Sequence, residues 1–178
     1  MDLSGQVAII TGGNKGIGKE IAEAFGKRGA KLVLAARNEL ELIETTKGFK
    51  DWGYDALPLV VDVTNPDQVK KMVEETIHTF HKIDVLVNNA GAPGPTKSAE
   101  DVTEEEWMQV INSNLTGSFL CIKNVLPYMK NQKKGRIINL SSISAKRPLI
   151  YRVGYSAAKM GVIGMTRTLA AELEQDHL

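Results

Sequence analysis

Several residue types are scarce in this chain of 178 residues, and each scarcity argues against a class of protein. There is a single cysteine, Cys121, so no disulfide can form within the chain. It stands in the apolar run 119–122, where a small buried hydrophobe is expected rather than a nucleophile. A reducing, cytoplasmic setting is therefore expected.

Excess charge, long apolar runs and histidine are scarce as well. The 22 Lys and Arg against 21 Asp and Glu give a net charge of +1, which argues against nucleic acid or an anionic membrane as a partner. No apolar run approaches the length that spans a bilayer, and the N-terminus lacks a targeting pattern. His78 and His81 share a helix face without a third ligand at useful spacing, so we predict no metal site.

What the sequence does contain is a regular alternation of apolar strands and helical patterns. A hydrophobic content of 43% suffices for one globular domain, here residues 1–178. Nearly continuous apolar strands are typical of a parallel sheet covered on both faces. We therefore predict an α/β fold, a doubly wound parallel sheet with helices on both faces. The predicted strands are 7–10, 31–36, 56–61, 83–87 and 136–140, and the predicted helices are 19–27, 40–50, 66–80, 103–129 and 155–173.

A glycine cluster follows the first strand, in the stretch 11–18. Glycines there permit positive φ and let a phosphate approach the backbone. The nucleoside triphosphate motif fails, because Glu20 stands where a Ser or Thr must hold magnesium. The spacing of the usual dinucleotide motif is absent too. Taken alone, the turn could bind phosphate or serve only as a tight connection.

Two basic residues distinguish between cofactors. A dinucleotide domain usually offers a carboxylate at the end of the second strand to the ribose hydroxyls, whereas this chain has Ala36 and then Arg37. Arg37 suits a 2′-phosphate, and Lys15 in the glycine turn could add a second positive charge. The pair favours NADP over NAD, with solvated surface cations as the alternative.

Asparagines and a Tyr-Lys pair complete the candidate set. Asn88 and Asn89 directly follow the fourth strand, and Asn114 lies in a helical stretch. Local backbone bonding is the alternative role for Asn88, and a solvent-exposed helix position is the alternative for Asn114. Tyr155 and Lys159 share a helix face at i and i+4. An ammonium beside a phenol stabilises the phenolate and favours proton exchange nearer neutral pH.

In this order and spacing, the motifs resemble the classical short-chain dehydrogenase/reductase family, and most closely its 3-oxoacyl-[acyl-carrier-protein] reductases. The segments that carry the resemblance are TGGNKGIG at 11–18, DVT at 62–64, NNAG at 88–91, NLTG at 114–117, Ser142 and YSAAK at 155–159. The resemblance implies a Rossmann fold that binds NADP(H) in preference to NAD(H).

The resemblance also implies roles for individual residues. Tyr155 would be the catalytic acid/base and Ser142 would bond the substrate oxygen. Lys159 would bind the nicotinamide ribose and support Tyr155, while Asn114 would hold a water of a proton relay. The implied cofactor-binding residues are Gly12, Asn14, Lys15, Gly16, Ile17, Gly18, Arg37, Asp62, Val63, Asn89, Ala90, Gly91, Tyr155 and Lys159.

The implied reaction is hydride transfer between nicotinamide and a carbonyl or secondary alcohol. A 3-oxoacyl thioester or similar ketone is the leading small-molecule substrate, and NAD-dependent dehydrogenation of a polyol, sugar or steroid is the alternative. The full-length form would be a homodimer or homotetramer. Family members carry two further strands and a substrate-covering segment after the last helix, so we expect a C-terminally incomplete fold from a longer enzyme. A catalytically impaired cofactor-binding or interaction fragment is the alternative.

Overall fold

Five short apolar segments form one parallel sheet in the computed structural model, which describes residues 2–176 and 178. The strands are β1 (Val7–Thr11), β2 (Lys31–Ala36), β3 (Ala56–Val60), β4 (Val85–Asn88) and β5 (Arg136–Asn139). Their order in the sheet is β3-β2-β1-β4-β5. Every residue of β1 and β4 is buried, as expected for central strands covered on both faces.

Six α-helices connect and cover these strands. They are α1 (Gly16–Gly26), α2 (Glu39–Asp51), α3 (Pro66–Phe80), α4 (Glu104–Ile111), α5 (Gly117–Gln132) and α6 (Val153–Leu173). Side chains at the N-caps explain where three of them begin. Asn38 caps α2, Asn65 caps α3, and Thr103 forms a capping box with Glu106 at α4.

The core is divided into two layers by the sheet, because successive strand residues point to opposite faces. Ile9 packs in one layer with Val125 and the other apolar side chains of α3 and α5. Ile10 packs in the other layer with Leu42 of α2 and Ala22 of α1. Cys121 is fully buried in the first layer, and burial raises the pKa of its thiol to about 12. The expectation of a buried cysteine is confirmed.

The chain reverses direction across the sheet at β1. From β1 it moves outward through β2 to β3, and it then returns to place β4 on the other side of β1. Loops that leave neighbouring strands in opposite directions open a crevice at the carboxyl edge of the sheet. The stretches with unusual residues, after β1 and β4, meet at this crevice.

One predicted element is divided in the structure, and the bounds of several others differ from the prediction by one to three residues. The helical pattern of residues 103–129 predicts one continuous helix, whereas a π-helical turn, Asn112–Thr116, separates α4 from α5. Asn114 lies in this wide turn, and its side-chain amide donates to the carbonyl of Val110. The backbone carbonyl of Asn114 accepts from the Ser118 hydroxyl. These side-chain bonds accommodate the extra residue of the turn, and π-turns of this kind recur at functional sites.

Candidate active site

A groove of about 420 Å³ runs along the carboxyl edge of the sheet. Loops that follow β1, β2, β3 and β4 line it. It contains most of the predicted cofactor residues, namely Gly12, Asn14, Lys15, Ile17, Arg37, Asp62, Val63, Asn89, Ala90 and Gly91. Gly16 and Gly18 lie in the first turn of α1, whereas Tyr155 and Lys159 lie on α6.

The glycine turn after β1 is shaped by close contacts and by positive φ. Gly12 has a φ of +65°, and a side chain there would meet the Asn89 amide. A side chain at Gly18 would collide with the Gly12 carbonyl. Lys15 stands at the N-cap of α1, but its side chain makes no capping bond, so the first helix amides are left for another acceptor.

Asn89 and Thr11 hold this turn against β4. The Asn89 side-chain amide donates to the carbonyls of Thr11, at 2.9 Å, and Gly12, at 3.1 Å. The Thr11 hydroxyl in turn accepts from the backbone amides of Asn89 and Ala90, both at 3.0 Å. Thr11 is part of the motif at 11–18, but the sequence assigns it no role. The pairing of β1 with β4 shows that it connects the loop after β1 to the loop after β4.

Charged pairs surround the end of the groove beside β2. Lys15 lies 3.1 Å from a carboxylate oxygen of Glu41, and Arg37 lies 3.8 Å from one of Asp62. The Asp62 carboxylate is itself fixed, because its other oxygen accepts from the amide and hydroxyl of Thr64. Lys15 and Arg37 keep exposed fractions of 71% and 68%, so both cations remain accessible to an anion.

The other end of the groove approaches a buried lysine on α6. Lys159 is only 5% exposed, and its ammonium donates to the Leu140 carbonyl at 2.8 Å. Burial lowers the pKa of Lys159 from its usual 10.5. The ammonium lies 5.8 Å from the centre of the Tyr155 ring. The structure therefore brings together the two residues that the i, i+4 spacing paired.

Asn114 faces the same corner. Its amide nitrogen donates to the carbonyls of Ala92, at 2.8 Å, and Val110, at 2.9 Å, which fixes the orientation of the side chain. Its Oδ1 atom is buried and has no hydrogen-bond partner among the described residues. A Cβ on Gly91 would strike this oxygen and would lie 3.8 Å from the Lys159 ammonium. A buried acceptor without a partner is costly, so it indicates a place for a water or ligand donor.

Ser142 follows β5 and begins a single 3₁₀ turn, Ile143–Ala145. Its Oγ accepts from the amide of Ser144 at 3.2 Å and from the hydroxyl of Ser144 at 3.0 Å. Because a serine oxygen has two lone pairs, the remaining proton of Ser142 is left to donate outward. The preceding residue, Ser141, bonds the Lys159 carbonyl, which ties the end of β5 to α6. Ser144, which is buried, was missed by sequence reasoning because its contact depends on the fold of the turn.

The loop that faces this corner is held by Arg152. The guanidinium donates to the carbonyls of Pro93 and Gly94, both at 2.9 Å, so Arg152 has a structural role. The segment 143–153, which follows Ser142 along the chain, carries exposed apolar side chains, namely Ile143, Leu149, Ile150, Tyr151 and Val153.

Residues 6–178 match the family model described as short chain dehydrogenase. The chain belongs to the short-chain dehydrogenase family. A 3-oxoacyl-[acyl-carrier-protein] reductase of Synechocystis sp. is 41% identical over 172 residues, which are 96% of this chain and 69% of that protein. Across four of the curated relatives it matches, this chain spans 62–70% of their length.

Two solved structures show the same architecture with different cofactors. A variant of actinorhodin polyketide ketoreductase with NADPH has a TM-score of 0.94 and 36% identity, over 97% of this chain and 66% of that chain. An NAD⁺-bound xylitol dehydrogenase has a TM-score of 0.96 and 29% identity, over 99% of this chain and 68% of that chain. The predicted doubly wound fold is therefore confirmed.

The groove of this short-chain dehydrogenase fits a nicotinamide dinucleotide. The turn after β1 needs glycine at positions 12 and 18, where side chains would collide with the turn itself or with Asn89, and α1 has no side-chain cap. Asn114 offers an acceptor without a partner among the described residues. In residues 2–176 and 178, no group of three or more His, Cys, Asp or Glu side chains could hold a metal ion. No helix in the same described residues has the length and apolar character needed to cross a membrane.

Proposed function

We propose that this chain reduces a ketone, or oxidises the corresponding secondary alcohol, with NADP(H) as its redox cofactor. The observation that carries the proposal is the buried Lys159 ammonium beside the Tyr155 ring, at the corner where the groove meets α6. Keeping a charged amine out of water is costly, and such perturbed groups concentrate at catalytic sites. The family match supports the same class of reaction.

Each catalytic residue has a distinct task in this proposal. When bound, the nicotinamide supplies the hydride that reaches the carbonyl carbon. Tyr155 donates a proton to the carbonyl oxygen as negative charge develops there, and Ser142 donates a hydrogen bond to the same oxygen. The Ser142 proton is free for this task because Ser144 occupies both of its lone pairs.

Lys159 and a water held by Asn114 would replace the proton that Tyr155 gives up. Lys159 stabilises the phenolate form of Tyr155 and binds a ribose hydroxyl. A water on the unpartnered Oδ1 of Asn114 would lie beside Gly91, the residue that separates Asn114 from the Lys159 ammonium. Protons from solvent could then pass through this water and Lys159 to Tyr155 after each reduction.

The charges beside β2 favour NADP(H) over NAD(H). Ala36 leaves no carboxylate to bind the ribose hydroxyls, while Arg37 and Lys15 are exposed cations on the groove. Arginine presents a planar fork that suits a phosphate. The NADPH in the ketoreductase neighbour supports this choice, although NAD⁺ in the xylitol dehydrogenase neighbour keeps NAD(H) as the competing cofactor.

The exposed apolar side chains in the segment after Ser142 favour an acyl ketone as substrate. Ile150 and Tyr151 are 73% and 57% exposed, and such side chains would bind an acyl chain better than a polyol. The 3-oxoacyl-[acyl-carrier-protein] reductase relative acts on a substrate of this class by its name. A 3-oxoacyl thioester or similar ketone is therefore our leading substrate, and a sugar, polyol or steroid is the alternative.

The test combines binding with turnover on the purified chain. NADPH and NADH are titrated separately by fluorescence, and NADPH oxidation is then followed with a 3-oxoacyl thioester, a cyclic ketone and a keto sugar. We expect tighter binding of NADPH and faster turnover of the thioester. Binding without turnover would favour a catalytically impaired cofactor-binding fragment, and absence of binding would overturn the proposal. Size-exclusion chromatography of the same sample tests the predicted homodimer or homotetramer.

A further inference from the structure

The carboxylate of Glu41 contacts Lys15, one of the two cations proposed to bind the 2′-phosphate. Glu41 is in the first turn of α2. Its Oε1 accepts from the Lys15 ammonium at 3.3 Å, and its Oε2 lies 3.1 Å from the same nitrogen. The Oε2 atom also accepts from the Asn14 side-chain amide at 2.7 Å. One carboxylate therefore connects α2 to the glycine turn.

The two partners of Glu41 differ in how firmly they are held. Asn14 is 7% exposed, and its carbonyl accepts from the Thr45 hydroxyl at 2.8 Å. The Lys15 side chain is 71% exposed and has no other ion-pair partner among the described residues. Asn14 thus anchors the negative charge, whereas Lys15 is free to leave it.

The second proposed phosphate cation, Arg37, also has a carboxylate neighbour, Asp62. Its oxygen lies 3.8 Å from Arg37, a longer separation than the 3.1 Å between Glu41 and Lys15. The ion pair of Arg37 is therefore the weaker of the two. Of the two cations, Lys15 has the positive charge that its carboxylate neutralises more completely.

We propose that Glu41 determines how strongly the groove prefers NADPH to NADH, by competing with the 2′-phosphate for Lys15. This inference rests on the proposed function. Binding of a phosphate requires Lys15 to leave Glu41, which costs little for an exposed ion pair. The anchored carboxylate then remains beside the phosphate and repels it. NADH has no 2′-phosphate and does not experience either effect.

Glu41→Gln tests the proposal directly, because the glutamine oxygen can still accept from Asn14 while the charge is removed. Fluorescence titration should show the Kd for NADPH falling by about two- to fivefold, which is the effect expected from an exposed charge pair of ordinary strength. The Kd for NADH should stay within about twofold. Raising the salt concentration should reduce the difference in the Kd for NADPH between the variant and the wild type, because salt screens exposed charges.

Asp51→Asn is the matched control, since it removes the same charge at the last residue of α2. It lies ten residues beyond Glu41, about 15 Å along the helix axis. That separation exceeds the screening length of roughly 8–10 Å at ordinary salt. We expect both cofactors to bind this variant as they bind the wild type.

The outcomes separate this inference from the function beneath it. If the wild type binds NADPH and Glu41→Gln leaves the ratio of the two Kd values unchanged, Glu41 has no role in selection. Weaker NADPH binding would mean that Glu41 positions Lys15 for the phosphate, which also overturns the inference. A wild type that binds neither nucleotide would refute the proposed function and this inference together.

Discussion

At the end of the groove beside α6, the lysine is buried and bonds a neutral carbonyl, whereas at the end beside β2 the cations are exposed and paired with carboxylates. Lys159 is 5% exposed and donates to a backbone carbonyl. Lys15 is 71% exposed and contacts a carboxylate. Burial fixes Lys159 in one position, while exposure lets Lys15 exchange partners. One end thus has a fixed geometry, whereas the other can exchange partners, as the proposed cofactor selectivity requires.

Tyr155→Phe should have the largest effect of these variants, because it should lower the rate of reduction at the buried end of the groove without changing cofactor binding. Loss of the phenol removes the proposed proton donor, and general acid catalysis typically contributes about 10²- to 10⁴-fold. Steady-state reduction should fall by that factor. The fluorescence-derived Kd for NADPH should change little, because the ring and Lys159 remain. Unchanged turnover would rule out Tyr155 as the acid.

Gly91→Ala should disturb the buried end through packing. The added methyl group would strike the Asn114 oxygen, and overpacking of this kind costs about 1–3 kcal/mol of stability. Turnover should drop by about tenfold or more, because Asn114 or the loop must move.

Gly48→Ala is the matched control for this change. Gly48 lies inside α2, and among the described residues no atom outside the adjoining helix backbone lies within 4 Å of the position of its Cβ. Alanine there should raise the free energy of unfolding slightly, by helix propensity, with unchanged turnover. Equal activity losses in both variants, measured beside urea unfolding, would argue against a specific role for Gly91.

Arg37→Ala should affect only the exposed end. Removal of the guanidinium should weaken NADPH binding by about tenfold, or about 1.4 kcal/mol, and leave NADH binding and the rate at saturating NADPH unchanged. Lys70→Ala is a close control, because Lys70 is 67% exposed and also lies 3.8 Å from a carboxylate. If the two variants bind NADPH equally, Arg37 is an ordinary surface cation.

The smallest expected effect is a pH dependence of stability caused by Lys159. Burial lowers its pKa in the folded state below the usual 10.5. Between these two pKa values the unfolded chain binds more protons, so stability rises with pH. Urea unfolding from about pH 7 to pH 10 should show this rise in the wild type but less of it in Lys159→Met. The exposed-residue control Lys47→Met should follow the wild type, and parallel curves for all three proteins would contradict the assignment.

Much of the fold could be predicted from the sequence, because strands and helices leave local periodic signals. Strand β2 and helix α3 have their predicted bounds, 31–36 and 66–80, and the capping box at Thr103 is present. The π-turn at 112–116 was not foreseen. It depends on side-chain bonds from Asn114 and Ser118 to the helix backbone, which the apolar pattern of a helix does not report.

The sequence by itself determined the element order, the glycine turn and the pairing of Tyr155 with Lys159, since these follow from local spacing. The tertiary structure alone decided which distant groups meet. It joined Thr11 to Asn89, buried Lys159 against Leu140, and set Glu41 against Lys15. The physical reason is that hydrogen bonds, burial and charge pairing act over a few ångströms in space, whatever the separation along the chain.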